Sequence, residues 1–508
     1  MNELVSSLRK AKAYSHATAE IKVVETHASW VFLTGEFAYK IKKPIKFPFL
    51  DFSTLALRKH YCEEELRLNR RLAPEVYLEV VPIGGSRADP RVGAEPAIEY
   101  AVKMIQFPLT ATLEIRIEGA EVTAAEFREL AELIADFHSG LAATEGTSAA
   151  TLARTNANEL FELFELLIQP ERAQLQRVID WIEYQSRRLA DAMQQRAQDG
   201  AIREGHGDLH LANLVYFGNR IVPFDCLEFD RALRCIDTID EVAFLTMDCL
   251  AHQRQDLAFE FLNRYLEVTG DYAGVRFLRF YWVHRALVRC KARRLQSQQH
   301  AERAIEKLAL RYLDLAQRLT EPAPPILAIT HGFSGCGKTT VTTGLIGALP
   351  AIRVRSDLER KRMAGLRPGQ SSDSALNQGI YTATMTAATY AELERAVAAA
   401  LEARLSIIVD ATFLVRDKRD RFANLALKHD AKFVILDLRA DESVLRQRVE
   451  HRSLEHGHAS EADLEVLERQ LSSAECLGED EQKYCIAVDA NRPVDAATLA
   501  QAIVAETT

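Results

Sequence analysis

The chain has 508 residues, 48% hydrophobic and 27% charged, with 63 Lys and Arg against 72 Asp and Glu for a net charge of −9. This is globular composition for roughly three folding units, which excludes wholesale disorder and disfavours a cationic binder of nucleic acid or anionic membrane. Its 8 cysteines form no C-x-x-C pair, and neither an 18-residue apolar run nor a signal-type apolar core is present, so a cytoplasmic protein without disulfides, structural zinc or a membrane partner is expected.

Up to Phe107 the pattern is strand-like: WVFLTGEFAYKIKKP, then VYLEVVPI and AIEYAVKMI, interrupted by one helical stretch, LRKHYCEEELRLNRRL. From about residue 120 the period becomes helical, with Phe127, Leu130, Leu133, Ile134 and Phe137 at three-to-four spacing. A helical tract rich in Arg, Gln, Ala and Leu runs over roughly 276–319, and TEPAPP then stops it, because proline cannot continue a helix and disfavours helical backbone at the residue just before it. Beyond lies alternating strand and helix, the pattern of a parallel α/β sheet. The expected boundaries are a β-rich lobe at 1–107, a helical lobe at 108–319, a Pro-rich linker at 320–325 and an α/β domain at 326–508.

The first chemical signal is HGDLHLAN, His206 to Asn213, followed by VPFDCLEFD. Phosphoryl transfer needs a carboxylate to orient the acceptor hydroxyl, an amide oxygen and a second carboxylate for Mg²⁺, and a lysine for the nucleotide phosphates. Asp208, Asn213 and Asp225 supply the first three, and LVYFGNRIVPF reads as two short strands folding Asp225 back beside the loop. Lys40 of FAYKIKKP is the expected lysine, with Lys42 its rival on the same strand face. Glu65 is the expected partner, with Glu64 the alternative. His206 and His210 read as structural, and Asp237 and Asp240 as braces of the loop.

These residues resemble the aminoglycoside phosphotransferase family, which implies a bilobal protein-kinase-like fold over roughly 20–300, with MIQFP (104–108) as hinge. There is no G-x-G-x-x-G loop; THAS (26–29) stands in its place.

The second signal is GFSGCGKT, which fits G-x-x-x-x-G-K-[ST] between the strand ILAIT and a helical segment. Such a loop turns backbone N–H groups around a phosphate. The expected nucleotide contacts are Gly332, Phe333, Ser334, Gly335, Cys336, Gly337, Lys338, Thr339 and Thr340, with Thr339 also on Mg²⁺. Asp357 follows the strand AIRVR and Asp410 ends SIIVD, where open α/β sheets bind ligands. Asp410 is expected on the metal. LRQRVEHR places Arg446, Arg448 and Arg452 near a lid, with Arg452 the expected phosphate contact. His451, His456 and His458 lie in a polar loop without a Cys partner and are read as no metal site.

Residues 326–508 look like the small P-loop kinases of the gluconate-kinase and polynucleotide-kinase type, and the role of base on the acceptor hydroxyl is carried from that resemblance to Asp357. The whole arrangement is similar to bacterial proteins fusing a phosphotransferase-like domain to a P-loop kinase domain. The implied activity is a bifunctional kinase using ATP and Mg²⁺ at two sites on small polar acceptors such as sugars or aminosugars. The alternatives are a polynucleotide-directed kinase at the C-terminal domain, for which a basic stripe at Arg285, Arg289 and Arg293 speaks, or one kinase gated by a nucleotide-sensing domain.

Overall fold

The computed structural model describes residues 2–47, 50–119, 121–144, 162–300, 303–367, 370, 382–454 and 464–505. They form two compact units, one from Met1–Glu126, Phe137–Leu152 and Ala190–Leu245, the other from Phe127–Asp136, Ala153–Leu189 and Thr246–Thr508.

The first unit is built on an antiparallel sheet of β1 (Lys22–Glu25), β2 (Ser29–Leu33), β3 (Phe37–Lys42), β4 (Tyr77–Gly85), β5 (Pro90–Val92) and β6 (Ala97–Ile105), in the order β1-β2-β3-β6-β4-β5. Alternation in β3 decides its faces. Phe32, Tyr39, Ile41, Val81 and Ile83 pack with Leu4 and Leu8 on one side. Ala38, Tyr77, Val102 and Met104 pack on the other with Cys62 of helix α1 (Leu55–Asn69), whose N-cap Thr54 accepts from Leu57 N at 3.2 Å. Lys40 and Lys42 share the face of Ala38, so period two carries both toward α1.

After helix α2 (Ala124–Gly140) and helix α3 (Glu171–Gln198), four short strands frame the loop at 205–213. These are β7 (Ile202–Glu204), β8 (Leu214–Phe217), β9 (Arg220–Pro223) and β10 (Cys235–Asp237); β7 pairs with β10, and β8 with β9 around Gly218-Asn219, as the sequence suggests. Helix α4 (Thr238–Ala251) follows directly.

In the second unit the helical tract is two helices, α6 (Val275–His300) and α7 (Arg303–Thr320), packed side by side after α5 (Gln255–Thr269). Arg289 Nε reaches Tyr312 OH at 3.4 Å and Arg294 Nη1 reaches Glu306 Oε1 at 2.8 Å. The basic stripe therefore turns largely inward: Arg285 and Arg289 are buried and Arg293 is half-buried, with the neighbouring Arg294 buried as well.

A fully parallel sheet follows, from β11 (Ile326–His331), β12 (Ala351–Arg355), β13 (Ser406–Asp410), β14 (Lys432–Arg439) and β15 (Cys485–Asp489), in the order β12-β13-β11-β14-β15. Covered on both faces, its strands read as continuous apolar runs. Its edge strand β12 meets α5. Asn263 donates to Ala351 O at 3.0 Å and accepts from Arg353 N at 2.5 Å, so one side chain replaces a missing neighbour strand. Arg353 Nη2 binds Glu267 Oε1 at 2.6 Å, with both side chains buried, and Tyr272 OH donates to Arg353 O at 3.1 Å. Burial opposes ionisation of Glu267, but Arg353 and Arg355 outweigh it and hold its carboxyl below the usual range.

Candidate active sites

The N-terminal centre collects five charged side chains. Lys40 Nζ lies 2.8 Å from Glu65 Oε1 and 2.5 Å from Asp225 Oδ1. Lys42 Nζ lies 2.7 Å from Glu65 Oε2 and also binds Glu228 Oε1. The two lysines are thus not rivals: Glu65 bridges them. Lys40 faces Asp225, whose side chain is 44% exposed, whereas Lys42 is wholly buried. Glu64 turns instead to Arg67, at 2.9 Å. Burial works against both lysines' charges, yet Asp225 and Glu65 at Lys40, and Glu228 and Glu65 at Lys42, raise both above the usual range. Burial also opposes the charge on Glu65, but the two lysines bring it down to about 2.

Across from the lysines, Asn213 Nδ2 donates to Asp208 Oδ2 at 2.8 Å and to its carbonyl at 3.0 Å, and His210 Nε2 stands 3.3 Å from Asp208 Oδ2. The loop needs Gly207: its φ is +83°, and a Cβ there would come within 3.0 Å of Leu233 O. Asp225 takes a left-handed backbone, φ +61°, with its N–H held by Tyr77 OH at 3.1 Å. His206 joins the two pieces, its Nε2 paired with Phe224 O at 3.0 Å while its carbonyl accepts from Leu227 N at 3.1 Å. Burial lowers the pKa of its ring, which favours the neutral form.

The brace of the loop is Glu241, which the sequence reading passed over. It accepts from His206 N at 2.5 Å and Gly207 N at 2.9 Å, while His138 Nε2 meets its other oxygen at 2.8 Å. Asp237 does not brace the loop in this way; Arg196 Nε holds it at 2.6 Å. Burial disfavours the Glu241 carboxylate, but His138 and the loop N–H groups bring it down to about 2. The stability this gives is full above the ordinary carboxylate pKa of ~4.3 and is lost as pH falls toward the folded value. Glu241→Gln is expected to flatten the fall of the urea midpoint below about pH 5; an unchanged acid limb would show that other carboxylates govern it.

The C-terminal centre lies at the strand ends of the parallel sheet. The loop 332–337 leads from β11 into helix α8 (Lys338–Ala348). Gly335, φ +85°, passes so close that a Cβ would meet Leu445 O at 2.9 Å. Thr339 Oγ1 donates to Asp410 Oδ2 at 2.9 Å, and Thr342 Oγ1 does so at 3.2 Å. Lys338 Nζ folds onto its own loop, 3.0 Å from Gly332 O and 2.8 Å from Phe333 O. A cavity of about 800 Å³ opens here, lined by Ser334 to Val341 and by Asp357, Arg360, Asp410, Lys418, Arg448 and Gln470, among others. Asp357 stands in the first turn of helix α9 (Ser356–Met363).

The expected loop contacts separate here. Ser334, Gly335, Cys336, Gly337, Lys338, Thr339 and Thr340 line the cavity. Phe333 packs against the apolar core, and it and Gly332 face Lys338 through their carbonyls. Arg448 reaches the cavity, while Arg446 binds Glu442 at 2.6 Å outside it. The side chain of Arg452, with His456 and His458, lies outside the described residues.

An anion-cradling loop with Thr339 on Asp410, and a Lys40–Glu65–Asp225 constellation beside Asp208 and Asn213, define an ATP-using kinase that joins a protein-kinase-like domain to a P-loop domain. Residues 327–477 match the AAA domain family. The chain belongs to the same family as the protein Rv2004c of Mycobacterium tuberculosis and Mb2027c of Mycobacterium bovis; to each it is 30% identical over 462 residues, spanning 88% of both chains.

Solved structures similar in part include aminoglycoside 2'-phosphotransferase-IIIa in its GDP complex, at 14% identity over 62% of this chain and 99% of that one, TM-score 0.36. Choline kinase from Cryptosporidium parvum matches at 11% over 59% and 89%, TM-score 0.37. A gluconokinase from Sinorhizobium meliloti matches at 22% over 36% and 93%, TM-score 0.25. Among the described residues, no helix is long and apolar enough to cross a membrane.

Proposed function

We propose that the chain is a bifunctional kinase whose two centres each pass the terminal phosphoryl group of ATP to a hydroxyl of a small polar metabolite, such as a sugar or aminosugar. The observation that carries this is the presence of two separate lysine–carboxylate constellations, one around Lys40 and Asp225 and one around Lys338 and Asp410. In each transfer the acceptor oxygen bonds to phosphorus as the bond to ADP breaks, and the hydroxyl proton passes to a carboxylate.

Asp208 takes that proton at the first centre and Asp357 at the second. Lys40, held by Glu65, and Lys338 grip phosphates; Lys338 exchanges its loop carbonyls for them. The oxygen donors of Asn213 and Asp225, and of Thr339 and Asp410, are hard ligands that suit Mg²⁺, which would neutralise phosphate charge when bound. The lobes at 1–107 and 108–319, the linker at 320–325 and the P-loop domain at 326–508 are the proposed domains.

The test is a metabolite extract with γ-labelled ATP, incubated with wild type, Lys338→Ala and Asp208→Ala. Each variant is expected to lose a different labelled product. If Lys338→Ala leaves every product in place, the second enzyme is excluded.

A further inference from the structure

A cluster of cations in the second unit has no place in either centre. Arg279 of α6 is 7% exposed, and its Nη1 is buried with no hydrogen-bond partner among the described residues. Its guanidinium carbon sits 5.4 Å from the ring centroid of Trp181, a contact that orients the charge without neutralising it. Arg188, seven residues beyond Trp181 on α3, gives its Nε to Gln185 Oε1 at 3.0 Å and its Nη2 to Glu402 O at 3.4 Å, both neutral acceptors. Arg404 gives Nη1 to His429 O at 3.3 Å, and its nearest carboxylate, Asp430 at 3.6 Å, is 90% exposed. The half-buried Glu402 beside the cluster is held by Arg276 at 2.6 Å. Burial, then the charges of Arg188 and Arg404, push the Arg279 guanidinium down to about 10, so the cluster is electrostatically strained as it stands.

A buried guanidinium without an anion is costly, and planar forks from several elements suit a tetrahedral oxyanion. Four arginines against Glu402 and Asp430 leave an excess of two positive charges, which matches a phosphate dianion. None of these residues lines the P-loop cavity. We propose that Arg279, Arg188 and Arg404, with Trp181 behind them, form a binding site for a phosphate group, free or as a monoester, distinct from both ATP centres.

The full chain would be titrated with sodium phosphate, and separately with glucose 6-phosphate, at constant ionic strength, reading the thermal midpoint and tryptophan fluorescence. An anion bound only by the folded state raises the midpoint. That rise is expected in wild type and in Lys338→Ala, where the P-loop is disabled, and not in Arg279→Met. Without phosphate, Arg279→Met is expected to melt higher than wild type, since it removes an uncompensated charge. Trp181→Phe should lose the fluorescence response.

A response to phosphate alone marks a free-phosphate site, and one to glucose 6-phosphate alone a monoester site. No response to either, or an undiminished response in Arg279→Met, overturns the proposal. Should Arg279→Met fold poorly, Arg188→Ala decides, because this exposed side chain can be removed without disturbing the core. About tenfold weaker half-saturation supports the site, and unchanged half-saturation overturns it.

Discussion

Asp208→Asn is expected to slow phosphoryl transfer at the N-terminal centre by about 10²–10⁴-fold while leaving the fold intact. The substitution keeps the shape of a side chain that Asn213 Nδ2 meets at 2.8 Å, but removes the carboxylate proposed to accept the hydroxyl proton. Because Lys40, Glu65 and Asp225 are untouched, nucleotide affinity should stay near the wild-type value. The loss therefore falls on kcat, read as labelled product formed per minute at saturating ATP. Comparable loss in KM for ATP, with kcat preserved, would move Asp208 from the acceptor to the nucleotide.

Lys42→Met is expected to act on stability before activity. Lys42 is 0% exposed and serves two buried carboxylates, Glu65 and Glu228. Removing one partner of a buried pair costs about 3–5 kcal/mol, because the charge left behind has no water. Burial already holds Glu228 above the usual carboxylate range, and Lys42 opposes that; without the lysine Glu228 would take up a proton.

Denaturant unfolding should show the loss, and Lys42→Met/Glu228→Gln should recover part of it. Lys40→Met contrasts, since Lys40 is 12% exposed beside the half-open Asp225: its cost falls on nucleotide handling. Equal destabilisation by the two single variants would contradict this division.

The pair also has a positional role. Glu228 stands three residues after Asp225, Arg234 Nη1 holds its carbonyl at 3.2 Å, and Lys42 pins its side chain. The strained backbone at Asp225 is thus fixed from both sides, by His206 before it and by Glu228 after it.

What was legible in the sequence was whatever chemistry forces into a short stretch. Loop 206–213 and loop 332–339 each carry their candidate site residues at fixed spacing, and Asp410 stands out because a carboxylate ends an apolar strand. What escaped were partners joined by register across long separations. Glu241 lies 35 residues from the His206 N–H it accepts, and Lys42 lies 186 from Glu228; period two placed Lys42 on the right face but could not choose its partner. The tract at 276–319 looked continuous because both of its helices share the same Arg-, Gln-, Ala- and Leu-rich composition, and composition does not register a break between them. Phe333 shows the same limit: its position in the loop concerns its backbone, while its side chain packs against the apolar core, which the loop pattern does not specify.

Asn263 and Glu267 have a consequence for how this chain came to be one polypeptide. A free-standing P-loop protein must protect the outer edge of its own sheet, since an open edge invites other strands. Here that duty has passed to a helix some sixty residues upstream of the sheet's first strand. Cutting at the proline segment would uncover hydrogen-bonding groups on β12 and strand Arg353 without its carboxylate. A fragment made that way should self-associate through the exposed edge. The fusion is in that sense obligate: the downstream part no longer carries a complete surface of its own.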